Sequence, residues 1–305
     1  MSDFVNSGWS IFVAVVTIAS LLACLGLLII AAKRRVMAND NTTGHVWDED
    51  LREMNNPLPR WWMGLFVITV VFSVVYLVIY PGLGSFQGTA GWSSTDQYQR
   101  ERSRLEASMA PVYAKFATLS AEDLARDAQA MEIGQRLFLN NCAQCHGSDG
   151  RGSLGFPNLT DGEWQWGGSH EQIKETITNG RTGVMPPMAA AVGTSEDVRN
   201  VAHYVLSLSG TAHNSVFAQL GRPKFAACAA CHGADGKGNQ ALGAPDLTNN
   251  VWLHGWGEQA IVRAINNGIT NVMPAQGRLL TAEQIHVLGA YVWSLSQPTQ
   301  VARQQ

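Results

Sequence analysis

Residues 141–152 read NCAQCHGSDGRG, and residues 227–238 read ACAACHGADGKG. Each copy holds Cys-x-x-Cys-His followed by a glycine-rich loop, at Cys142, Cys145 and His146 and again at Cys228, Cys231 and His232. A thioredoxin-like redox pair has the same cysteine spacing, but it belongs to a strand-helix context and has no histidine directly after it. A zinc ribbon needs both pairs at one ion and sets them about 15–20 residues apart, whereas these lie 86 apart. Cys-x-x-Cys-His is also the attachment site of c-type haem, in which both thiols add to vinyl groups and the adjacent histidine reaches the iron. One match is moderately specific and two in one chain are strong, so the sequence predicts two covalently bound haems c.

Haem iron used for electron transfer is closed by a sixth ligand, and His/Met coordination raises its potential. The chain has nine methionines, and an internal repeat chooses among them. NLTDGEW…ITNGRTGVMPPM from Asn158 aligns with DLTNNVW…INNGITNVMPAQ from Asp246 at a constant offset of 88 residues. The alignment pairs Trp164 with Trp252, Gly180 with Gly268, and Met185 with Met273, each methionine preceding proline, while Met188 falls opposite Gln276. Met185 and Met273 are the expected axial ligands. Sequence order favours a methionine serving the haem of its own half, and exchange between two compact halves remains an open alternative. Trp164 and Trp252 are possible haem contacts through an indole N–H to a propionate. Arg181 is a weaker candidate for the same contact, because Ile269 stands at the matching position. His45, His170, His203, His213, His254 and His286 have no repeated counterpart and read as surface or packed residues; Cys24 reads as a small hydrophobe.

The halves match on both sides of the haem motif. Gly134 and Phe138, then Gly221 and Phe225, lie on a helix before each motif, and Thr194 and Thr281 are candidate N-caps of a closing helix. Apolar residues at helical spacing, Val201, Val205 and Leu208 or Val287, Tyr291 and Leu295, mark a buried face. Each half is thus a small helical domain for which a haem would form part of the core.

Upstream, residues 9–32 (WSIFVAVVTIASLLACLGLLIIAA) and 61–83 (WWMGLFVITVVFSVVYLVIYPGL) are each long and apolar enough to cross a bilayer. The tail MSDFVNSG holds an acid and no base, which argues against a cleaved signal peptide. Lys33, Arg34, Arg35, Arg52 and Arg60 lie between the spans, and the first base after them is Arg100. Basic residues stay on the cytoplasmic side, so both termini face outward, which in a bacterium is the periplasm. The expected organisation is all-α: a two-span inner-membrane anchor over 1–84, a linker helix region over 85–131, and class I cytochrome c-like domains over 132–212 and 213–305. The formal net charge of −3, with no basic stripe, excludes nucleic acid as a natural partner.

GHVWDEDLREMNNPLPRWW, from Gly44 to Trp62, leads into the second span and is followed by the two haem-type domains. In this combination the chain resembles the dihaem subunit (subunit III) of cbb3-type cytochrome c oxidases over essentially its whole length, in the two-span form. The resemblance implies a non-catalytic electron-transfer subunit of an oxidase that reduces oxygen to water and pumps protons. It implies a separate catalytic subunit with haem b and copper, a monohaem cytochrome c subunit, and a soluble periplasmic cytochrome as donor. It also implies that the 44–62 segment docks on the membrane core, and that the methionine ligands are crossed between the haems. The alternative is the electron-accepting dihaem subunit of a periplasmic dehydrogenase, which shares the haem domains but has no evident need of the second span and the loop; a free-standing tethered shuttle is a third reading.

Overall fold

The structure, a computed structural model, describes residue 4, residues 6–33 and residues 42–297. Arg34 and Arg35, two of the bases that set the expected orientation, lie outside the described residues, as does the end of the second haem-type segment after residue 297. The chain divides into two compact units, Met1–Ser108 and Met109–Gln305.

In the first unit, helix α1 covers Ser7–Ala32 and helix α2 covers Arg60–Ile79. Their most apolar stretches have mean hydropathies of 2.8 and 2.5. Neither helix buries a residue, and Ile11, Phe12, Leu22, Ile68 and Phe72 are all exposed. Such a surface suits hydrocarbon rather than water, and both helices are long enough to span it. The second helix stops at Ile79 and not at residue 83. Tyr80 precedes Pro81, whose ring disfavours helical geometry in the residue before it, and Tyr80 is extended at φ −114°, ψ 157°. The backbone N–H and the hydroxyl of Ser85 both donate to Ser10 Oγ, at 2.7 and 2.8 Å. This ties the start of α1 to the chain leaving α2, so the two helices form an antiparallel pair with both outer ends on one side.

The expectation of an all-α chain is corrected at two places. Strands β1 (Thr42–Trp47) and β2 (Leu51–Met54) pair antiparallel, with Trp47 opposite Leu51 and Val46 opposite Arg52. Asp48 and Glu49 make the turn with positive φ of 45° and 72°, which only a minority of non-glycine residues adopt. Charged turn residues disguised the hairpin in the sequence. The second sheet joins β3 (Arg181–Met185) to β4 (Ile269–Met273). Its partners are remote in sequence, so no local pattern announces the pairing.

The second unit is mostly helical. Helix α3 (Ser94–Phe116) enters it from Met109, and α4 (Ala121–Arg126) follows behind a Ser120 cap. Tyr113, Phe116, Leu124 and Ala130 are buried together with Val287 and Ala290. From residue 109 onward the linker region therefore packs as part of the core. Helix α5 (Ala128–Asn141) leads into α6 (Ala143–His146), and α7 (His170–Asn179) precedes β3. The short helix α8 (Ala189–Val192) and the longer α9 (Ser195–Leu208) close the first half. The second half repeats the order: α10 (Ser215–Gly221), a 3₁₀ turn (Pro223–Ala227), α11 (Ala229–His232), α12 (Glu258–Asn267), β4 and α13 (Ala282–Leu295).

Segments 132–212 and 213–305 are contiguous in sequence but not in packing. The closing helix α13 packs on α5 and α7 of the first half, and α9 packs on α10 and α12 of the second. Glycine makes each crossing close: a Cβ on Gly134 would lie 2.6 Å from Tyr291 Cβ, and one on Gly221 would run into the Asn200 carbonyl. The loops interlock as well, through Gly155 N–H to Leu253 C=O at 2.8 Å and Gln240 Nε2 to Trp164 C=O at 3.0 Å. Val201, Val205 and Val287 are buried as their spacing implies, while Tyr291 and Leu295 are half-buried.

Thr194 and Thr281 cap the closing helices, and each closes a reciprocal pair with the side chain three residues on, Asp197 and Gln284. Thr194→Ala and Thr281→Ala are each expected to cost about 1 kcal/mol. A urea midpoint followed by near-ultraviolet circular dichroism checks this, and an unshifted midpoint would mean that the caps contribute nothing.

Candidate haem-binding sites

The two Cys-x-x-Cys-His turns have the same local geometry because the same short helix builds them. At the first, the Cys145 and His146 N–H groups donate to the Cys142 carbonyl at 3.1 and 2.9 Å; at the second, those of Cys231 and His232 donate to Cys228 at 3.2 and 3.0 Å. The turn leaves Cys145 and Cys231 exposed and draws both histidines inward, to 8% and 9% exposure. His146 Nδ1 hydrogen-bonds the Pro157 carbonyl at 3.0 Å, and His232 Nδ1 hydrogen-bonds the Pro245 carbonyl at 3.1 Å. A carbonyl only accepts, so Nδ1 carries the proton in each ring. Nε2 is left with a free lone pair, the form and orientation that a metal ligand requires. Burial also pushes the His232 pKa down against the pull of the Pro245 bond, which favours that neutral ring.

The first thiol of each pair is not poised for disulfide exchange. Burial, helped by the neighbouring Cys145, pushes the Cys142 thiol up to about 11, and burial likewise raises Cys228 next to Cys231. Redox-active pairs have the opposite signature, a depressed thiol pKa.

Around each turn lies a separate apolar cluster. Cys142, Leu159, Trp164 and Met273 pack with Phe138, Ile173, Ile177, Leu280 and Leu288. Cys228 packs with Val201, Phe225 and Ile261, against which Met185, Met188 and Trp252 lie. The first turn and Met273 are thus brought together, and the second turn and Met185. Sequence order within each half implies the reverse pairing, and the exchange of β3 with β4 produces the one seen. Met188 shares the second cluster, but its backbone N–H is bound to the Ile265 carbonyl at 2.8 Å, where it starts α8.

Both clusters suit a large apolar ring with carboxylates at its rim. Trp252 Nε1 is buried with no hydrogen-bond partner, although such an N–H ordinarily finds an acceptor. A propionate is an acceptor of the right kind. Arg181, by contrast, is already engaged: it donates to Thr176 Oγ1 at 2.9 Å and Glu175 Oε1 at 3.1 Å, and its guanidinium lies 5.1 Å from the Trp166 ring centre.

Packing also accounts for four of the unrepeated histidines, while His45 and His213 are exposed. His170 Nε2 donates to the His286 carbonyl at 2.9 Å, and His286 Nε2 donates to the Leu119 carbonyl at 3.1 Å, tying α7 and the chain before α4 to α13. In the other half, Glu258 at the same place on α12 holds Arg199 at 2.8 Å and His203 Nε2 at 3.1 Å on α9. The common position, first residue of the helix after the tryptophan loop, was visible in the repeat; its role was not, because a neutral histidine in one half replaces a carboxylate in the other. His254 accepts from Asn271 Nδ2 at 2.8 Å.

Burial lowers the His170 pKa, with electrostatic interaction with His286 and Lys174 acting the same way and the His286 carbonyl bond and Glu171 acting against. The folded unit therefore resists a proton that the unfolded chain accepts near 6.5. The stability from this group is complete above that pH and is lost as pH falls toward the folded value. The melting temperature of the wild type is expected to fall between pH 7 and pH 5, and His170→Gln is expected to reduce that fall. An equal fall in both proteins would remove His170 from the acid sensitivity.

Comparison with known proteins adds the following. Residues 39–87 match a family profile described as the N-terminal domain of cytochrome oxidase-cbb3, FixP, and residues 129–205 and 222–292 each match cytochrome c oxidase, cbb3-type, subunit III. The chain is 66% identical over 302 residues to the cbb3-type cytochrome c oxidase subunit CcoP of Rubrivivax gelatinosus, covering 99% of each chain. It is 41% identical over 272 residues to subunit FixP of Azorhizobium caulinodans, covering 84% of this chain and 92% of that one. It is 34% identical over 273 residues to subunit CcoP of Cereibacter sphaeroides, covering 83% and 94%. These matches lend no support to a dehydrogenase acceptor subunit.

Proposed function

Because the chain belongs to the cbb3-type cytochrome c oxidase subunit III family, and so is an electron-transfer subunit of that oxidase, we propose that its second unit carries two haems c in series. Cys142 and Cys145 bind one and Cys228 and Cys231 the other, with His146 and His232 as proximal ligands. Met273 closes the first site and Met185 the second, so the two haem-binding folds are interleaved. The observation that carries this reading is the pair of turns whose His Nδ1 is fixed on a proline carbonyl, each in one cluster with a methionine from the other half.

Haem supplies one-electron exchange at iron when bound. The chain supplies the rest. Nε2 of each histidine and the thioether of each methionine would hold the iron, and a His/Met pairing of this kind would favour a high potential. The apolar clusters would keep water from it. Trp252 Nε1 would donate to a propionate. Since the second sheet and the interlocked loops hold the two pockets to each other, little need move as charge passes. The anchor retains this relay at the membrane, with the haem unit on the periplasmic side. There it receives electrons from a soluble cytochrome and hands them, by way of a monohaem subunit, to the haem b and copper subunit.

The test is a reduced-minus-oxidised spectrum of the complex purified in mild detergent through a tag on this chain, with oxygen uptake on the same sample. Bands of haem c and haem b, cyanide-sensitive uptake, and two covalent haems per chain by alkaline pyridine assay are expected. Haem c alone without uptake would overturn the reading.

A further inference from the structure

We propose that Gly180 and Gly268 are positioning residues that seat each axial methionine in the pocket formed by the other half of the chain. The inference rests on the assignment of Met185 and Met273 as iron ligands. Gly180 ends α7 and Gly268 ends α12, with φ 70°, ψ −179° and φ 70°, ψ 178°. That region is open to glycine and closed to residues with a Cβ. Space is closed as well. A Cβ on Gly180 would run into the Met273 carbonyl oxygen and lie 2.7 Å from Ala275 N; one on Gly268 would lie 2.5 Å from the Met185 carbonyl oxygen and 2.9 Å from Pro187 N. Each glycine thus bears directly on the Met-Pro segment that crosses from the opposite half.

Hydrogen bonds place the crossing chain there. The last carbonyls of a helix lack partners within it, and the chain after each methionine supplies them. Gln276 and Gly277 N–H donate to Ile177 and Thr178 of α7 at 2.9 and 3.1 Å, and Met188 N–H donates to Ile265 of α12 at 2.8 Å. Register completes the fit, with Met273 opposite Arg181 and Met185 opposite Ile269, each next to a clamp glycine. A side chain at either glycine would have to lift the Met-Pro backbone off the helix end and draw the thioether from the iron.

Ferric haem c with a methionine ligand has a weak charge-transfer absorption in the far red. In the intact oxidized complex, each of Gly180→Ala and Gly268→Ala is expected to lose half of that absorption while covalent haem content stays at two per chain. Double variants identify the methionine concerned, because changes acting on one ligand are not additive. Gly180→Ala with Met273→Ala should keep the remaining half, and Gly180→Ala with Met185→Ala should lose it all. The reverse result would mean that Gly180 acts on Met185 and would overturn the crossed clamp; so would a full band in either single glycine variant. Loss of covalent haem from both glycine variants would make these folding residues and likewise overturn the proposal. If Met185→Ala and Met273→Ala singly leave the band intact, the ligand assignment fails instead of the clamp.

Discussion

Leu288→Ala is expected to destabilise the haem-carrying unit by about 2–5 kcal/mol, lowering its melting temperature by roughly 4–20 °C. Leu288 lies on α13 and is fully buried. Its neighbours are Phe138, Ile173 and Ile177 from the first half, in the cluster that includes Cys142. On the proposed attachment, the effect should therefore appear first at the haem of Cys142, although the substitution lies in the second half. Val201 is the matching residue on α9, fully buried beside Phe225 and Cys228. Val201→Ala should cost less, since a smaller side chain is removed, and should act on the haem at Cys228. Thermal melts followed at the absorption of each haem, resolved by poising the sample between the two potentials, check both assignments. If each truncation perturbed the haem of its own half, the exchange of closing helices would be wrong.

Which parts of this architecture could be read from the sequence follows from the range of the interactions. The geometry of the two Cys-x-x-Cys-His turns was legible because the motif and its helical turn are local. The span limits were legible to within a few residues, and the one misplaced end, beyond Ile79, came from weighing the apolar character of Tyr80 over the restriction that Pro81 places on it. Thr194 and Thr281 announced the closing helices because a cap acts within one turn. The exchange of α9 and α13 is a different matter. Both closing helices carry the same kind of apolar stripe, so either could cover either pocket, and the choice is made by contacts between residues far apart, such as Gly134 with Tyr291. The periodicity of the stripes did not point to it. The β3–β4 pairing was hidden for the same reason. His170 and Glu258 were overlooked because their task, holding an exchanged helix, exists only once the exchange is known.

Replacing Cys228 and Cys231 together by serine is expected to remove more than the one haem proposed for them. With separate domains, the chain would keep the haem at Cys142 and Cys145 in full, and covalent haem per chain would fall by half. The interleaved arrangement implies a larger loss. Without the ring, the cluster around Phe225 and Ile261 surrounds a cavity, with Trp252 Nε1 left unpaired inside it, and both defects are costly. Met185, packed against that cluster, then lacks the iron proposed for it. It sits on β3, whose pairing with β4 holds Met273 at the other pocket, and on the same connected segment as α9. Collapse of the emptied pocket, unlike the loss of a single methionine ligand, thus reaches the ligand proposed for the other site through the shared strand pair. Haem staining normalised to the amount of chain should fall more than twofold, the far-red methionine band should be lost from the haem that remains, and donor-driven oxygen uptake should fall to background. A chain with half its haem and a normal band on that half would show that the two pockets stand independently, and that the ribbon joining them transmits nothing.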